Sequence, residues 1–81
     1  MRKEIVPFDD VVARFHGVRI YGRGDGRIVY LAERGGLCHV VIVREDQPLG
    51  APVMATVLTF DTERERGAHL ASGGGGFAAP S

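Results

Sequence analysis

The sequence predicts an α+β fold: an N-terminal amphipathic helix packed on a four-stranded antiparallel meander, then a short C-terminal helical turn and a flexible tail. Three observations lead there. The run Leu37-Cys38-His39-Val40-Val41-Ile42-Val43-Arg44 holds four consecutive β-branched residues, which crowd a helix and suit a pleated strand. Two glycine-bearing turns, Asp25-Gly26 and Gly35-Gly36, separate apolar runs at hairpin spacing. Phe8, Val11, Val12 and Phe15 recur at i, i+3, i+4 and i+7, one stripe of a helix. A small closed β-barrel is the alternative architecture for the same order of strands. The residues carry no family signature.

Taken in order, residues Lys3 to Val6 form a short edge strand that Pro7 ends. Pro7 suits a helix start, and Asp9 and Asp10 place negative charge at the positive end of the helix dipole. The helix is expected over residues 8–16, with Gly17 as its stop. So short a helix forms only by burying its stripe. Strands follow over Val18 to Gly22 and Arg27 to Ala32, joined by Arg23-Gly24-Asp25-Gly26. The Arg-Gly-Asp at 23–25 is read as turn chemistry, not as an adhesion motif.

Successive strand residues point to opposite faces. The first face therefore collects Val18, Ile20, Val29, Leu31, Cys38, Val40 and Ile42, and the helix stripe is expected to cover it. The second face collects Arg19, Tyr21, Arg23, Ile28, Tyr30, His39, Val41 and Val43. A polar, proline-bounded loop over 45–52 leads to a fourth strand, Val53 to Phe60, with Met54, Leu58 and Phe60 assigned to the core. Thr62 to Glu65 matches a Ser/Thr-x-x-Glu capping box. Gly67 and the sparse apolar residues after it predict a short or frayed helix. Residues 1–71 thus make one small domain, and Ser72 onward, with Gly73 to Gly76, is a linker-like tail.

Composition narrows function. The chain has 81 residues, 10 basic and 10 acidic, so no overall field draws it to nucleic acid or to a membrane surface. Arginines at 14, 19, 23, 27 and 34 nonetheless concentrate in the first half. The single cysteine excludes an internal disulfide, and His16, His39 and His69 lack metal-ligand spacing. No cofactor or metal is implied. No apolar run reaches membrane-spanning length, and no signal-peptide core precedes Pro7, so a cytoplasmic protein is expected.

The chemical motifs have plain readings. Cys38 and His39 are strand neighbours and face apart, so they form no thiol–imidazole dyad. His16 is expected at the helix end, where positive charge is favoured. Gly22-x-Gly24-x-Gly26 is followed by a strand, whereas a dinucleotide loop needs a helix there. No catalytic residue is named.

What remains is the second face, apolar at one end and rich in Arg and Tyr at the other. A domain this small buries only about 60% of its unfolded surface and often needs a partner to be stable. The leading expectation is a non-catalytic, self-associating binding or adaptor module, a homodimer or a partner-protein binder, using Arg19, Tyr21, Arg23, Ile28, Tyr30, His39, Val41 and Val43. The alternatives are a small nucleic-acid-binding domain on the same Arg/Tyr face and a ligand-binding protein or enzyme with a pocket between helix and sheet.

Overall fold

The computed structural model describes residues 2–72. The elements are β1 (Arg2–Pro7), α1 (Phe8–Arg14), β2 (His16–Gly24), β3 (Arg27–Arg34), β4 (Leu37–Arg44), β5 (Met54–Phe60) and α2 (Glu63–Ala71). They build a small α+β fold on one open antiparallel sheet in the order β1-β5-β4-β3-β2. The sheet has five strands, not four, because the N-terminal segment pairs along β5 from Arg2↔Thr59 to Pro7↔Met54. β1 and β2 are both edges and do not meet, so the sheet is not a barrel.

The turns behave as their residues dictate. Asp25 and Gly26 take φ of 54° and 72°, the left-handed pair that closes a two-residue hairpin between Gly24 and Arg27. Gly35-Gly36 does the same between Arg34 and Leu37, setting Tyr30↔Val41, Leu31↔Val40 and Ala32↔His39. β5 continues the register with Val40↔Leu58 and Val41↔Val57. Gln47 ties the following loop shut: its amide accepts from Met54 N at 2.6 Å and donates to the carbonyls of Arg44 and Met54.

Four expectations change. First, α1 covers the second face, not the first: Val11 packs with Ala32, Val41, Val43, Ala55 and Val57, flanked by Phe8, Phe15, Val18 and Tyr30. The helix leaves β1 with no linker, and small residues beneath it, Ala32 and Ala55, let its backbone come close. Second, α1 stops at Arg14. Phe15 is already extended, with ψ of 157°, so the stripe breaks, and Val12 is left exposed. His16 consequently opens β2 and does not cap the helix.

Third, β2 carries two register shifts, between His16 and Arg19 and between Ile20 and Gly22. Each extra residue turns the strand over. Arg19 therefore lies opposite Leu31 on the first face, Ile20 opposite Tyr30 on the second, and only Arg23, opposite Ile28, returns to its expected side. Val18 likewise packs under α1, on the second face. Gly17 serves the first shift and not a helix end. Its φ is +65°, and a Cβ there would sit 2.6 Å from a Glu33 carboxylate oxygen.

Fourth, the C-terminal helix is a full nine-residue element that roofs half of the first face. Thr62 caps it by accepting from Glu65 N at 3.1 Å. Leu70 packs on Val29, Val40, Leu58 and Phe60, while Met54, the third assigned core residue of β5, stays 38% exposed. Its second anchor is Arg66, 3% exposed, which donates to Glu33 Oε2 at 2.6 Å, to Ala32 O at 3.2 Å and to His39 O at 3.4 Å. Among the described residues no helix is long and apolar enough to cross a membrane. The tail expectation, apart from Ser72, concerns residues outside those described.

Removing Arg66 strands buried acceptors, so Arg66→Ala should lower the unfolding free energy in urea by about 2–3 kcal/mol, while exposed Arg64→Ala stays within about 0.5 kcal/mol. Equal effects for the two would show that the guanidinium does not anchor α2.

Candidate functional site

The eight residues expected to form one binding face do not stay together. Val41, Val43 and His39 are buried beneath α1 and its flanks, and Tyr30 and Ile28 are half-buried there, with the Tyr30 ring 5.1 Å from that of Phe8. A single protomer thus supplies its own cover for this surface. Arg19, Tyr21 and Arg23 remain exposed on β2.

Two of those cations are already engaged. Arg19 donates to Glu33 Oε1 at 2.9 Å and to Gly17 O at 2.6 Å. Arg23 grips Glu45 with both oxygens, at 3.0 Å and 2.7 Å, and holds that carboxyl below its ordinary value. Phosphate would have to displace a carboxylate at each, so the edge offers little net positive charge. Glu33 sits between Arg19 and Arg66, and their hydrogen bonds hold its carboxyl down to about 2 from an ordinary 4.5.

Cys38 and His39 project to opposite faces, opposite Phe60 and Thr59 of β5. The Phe15 ring meets His39 edge-on at 4.7 Å, and His39 Nδ1 lies 3.2 Å from Thr59 Oγ1. Burial pushes the imidazole below its ordinary 6.5, and the Arg34 charge adds to this against the pull of the Leu58 and Arg34 carbonyls. Among the described residues no group of three or more His, Cys, Asp or Glu gathers closely enough to hold a metal ion.

The open surface lies elsewhere, on the first face beyond the reach of α2. Ile42 of β4, Thr56 and Met54 of β5 and Ile5 of β1 run side by side there, as Ile42↔Thr56 and Ile5↔Thr56 require. With Pro48 and Gln47 they line a groove of about 350 Å³. Ile5 is 64% exposed, and Leu49 and Val53 of the adjoining loop are exposed too. At the rim Arg44 pairs with Asp46 through two contacts, 3.1 Å and 2.9 Å. Both ends of that pair face water, where such a bridge contributes at most about 1 kcal/mol, so it decorates the groove and does not hold it. Sequence reasoning missed this surface because it assigned the wrong helix to the wrong face. The signal was present: Ile5, Ile42 and Met54 share one parity of their strands. Comparison with family models, with curated proteins and with solved structures finds no significant match.

The two shifted groups give a two-stage response to acid. An imidazole held below its unfolded value takes up a proton more readily in the unfolded chain, so His39 withdraws stability as pH falls below about 6.5. Glu33, a carboxyl depressed to about 2, supports the fold above its ordinary 4.5 and loses that support as pH falls from there. Unfolding free energy followed from pH 8 to pH 3 should decline in both windows. His39→Gln should abolish the upper decline, and Glu33→Gln should flatten the lower; unchanged profiles would refute the assignment.

Proposed function

We propose that this chain is a small, non-catalytic binding module that associates with a second copy of itself through the open half of its first sheet face. The observation carrying this reading is the apolar strip Ile5, Ile42 and Met54, lying bare beside a half-face sealed by Leu70 and Phe60. The chain is too small to leave such a strip in water without cost. At about 25 cal/mol per Å², covering even part of these side chains against a partner is favourable.

A second copy is the occupant that fits the charges. The protein has no net charge to repel its twin. The groove rim sets Arg44 beside Asp46, so a two-fold axis brings each cation near the other copy's anion. Neighbouring β1 leaves one hydrogen-bonding edge unpaired, which allows the contact to include backbone. A nucleic-acid reading loses support from the carboxylates that already occupy Arg19 and Arg23.

Size-exclusion chromatography with light scattering should give twice the 8.7 kDa chain mass at micromolar concentration. Ile5→Arg, on an exposed edge position, should return the single-chain mass with an unchanged circular dichroism spectrum. A wild-type protein that stays monomeric at high micromolar concentration would overturn the proposal.

A further inference from the structure

The second face has its own opening, at the end that α1 leaves uncovered. A cavity of about 330 Å³ lies there, near the lower size limit of small-molecule sites. Its floor is one row across three strands: Arg2 of β1, Thr59 of β5 and His39 of β4, set by Arg2↔Thr59 and His39↔Thr59. Phe15 forms a wall, with the Arg34 guanidinium 5.5 Å from its ring centroid. Glu4, two residues along β1 from Arg2, is the only acidic lining residue.

Two features set this cavity apart from the other surface clefts. The first is His39, 4% exposed, whose Nε2 is buried and has no hydrogen-bond partner. Buried polar atoms are nearly always partnered, so an orphan on a ring that borders a cavity points to an absent ligand atom. When Thr59 donates its hydroxyl to Nδ1, the ring proton sits on Nε2, which is then a donor in want of an acceptor. The second is charge. Neither Arg2 nor Arg34 forms an ion pair with a carboxylate among the described residues, in contrast to Arg19, Arg23, Arg44 and Arg66. Two cations against Glu4 leave the cavity one positive charge in excess.

We propose that this cavity binds a small monocarboxylate bearing a compact apolar ring or chain. The carboxylate bridges Arg2 and Arg34 and accepts from His39 Nε2, while the apolar part lies on Phe15 and Leu37. One negative charge balances the excess. A dianion such as phosphate oversteps it and leaves Phe15 and Leu37 without a partner. A cation is repelled by both arginines.

The site lies on the opposite face from the groove assigned to self-association, so the two can be tested apart. Benzoate serves as the probe, titrated into ¹⁵N-labelled protein. Saturable shifts are expected around the cavity, together with a change at the His39 ring nitrogens. Arg2 and Arg34 are exposed, so the Arg2→Gln/Arg34→Gln protein should fold as the wild type does and bind at least about tenfold more weakly. Glu4→Gln should bind more tightly, since it removes the opposing charge. Phosphate, and zwitterionic phenylalanine, should bind more weakly than benzoate. Benzoate shifts that never saturate, an unresponsive His39, an unweakened double variant, or phenylalanine binding better than benzoate would each overturn the proposal.

Discussion

The fold depends on β4 being apolar on both sides. Val40 and Val41 are both fully buried although they point in opposite directions, so the strand can exist only with something on each face of the sheet. A sheet with a single helix would leave one of them in water. The chain meets this demand with two short helices, one before the meander and one after it, on opposite faces. Neither is long enough to persist alone; each is held by what it covers.

The two helices are held in different ways. α1 docks by apolar packing, with Val11 seated over a shallow bed of valines and alanines. α2 has almost no apolar stripe and buries only Arg66 and Leu70, one turn apart on one side. Burial of one leucine is worth about 1.5–3 kcal/mol, too little to fix a helix containing a glycine at its centre. The guanidinium supplies the rest by reaching Glu33 and two strand carbonyls at once. Glu33 is oriented in turn by Arg19 from the neighbouring edge strand. The second shift in β2 and the capping of the sheet are therefore linked through one carboxylate: if the strand had kept a regular pleat, Arg19 would have pointed away from it.

This difference explains what could be read in the residues and what could not. Turn chemistry is local, and Asp25-Gly26 and Gly35-Gly36 fix the register of three strands without reference to anything distant. Thr62 and Glu65 mark a helix start in the same way. The side on which a helix lands is not local. Phe8, Val11 and Phe15 would suit either face, and the choice rests on the exit of β1 and on Ala32 and Ala55 leaving room. Bulges are also invisible to alternation, which explains how Arg19 and Ile20 exchanged faces. Arg66 carried no hydrophobic signal, so a buried arginine that anchors a helix passed as one more charge in Glu63-Arg64-Glu65-Arg66. The binding surfaces inherited these errors, because each is defined by what a helix fails to cover.

The same geometry accounts for the unlike character of the two openings. α1 covers the second face over Tyr30, Val43 and Ala55, leaving the corner where Arg2, Thr59 and His39 lie. α2 covers the first face over Phe60, Leu58 and Val40, leaving the opposite corner, where Ile42, Thr56 and Met54 lie. The gaps are thus at opposite ends of the sheet and on opposite sides of it, and β1 borders both. Its alternation divides them chemically: Arg2 and Glu4 project toward the polar cavity, Ile5 toward the apolar groove. An edge strand of six residues, paired on one side only, therefore decides what each opening can recognise. A slip of β1 by one residue along β5 would exchange the two sets, setting charge against the apolar groove and an isoleucine beside the buried imidazole. The register from Arg2↔Thr59 to Pro7↔Met54 is what keeps the two recognition chemistries apart.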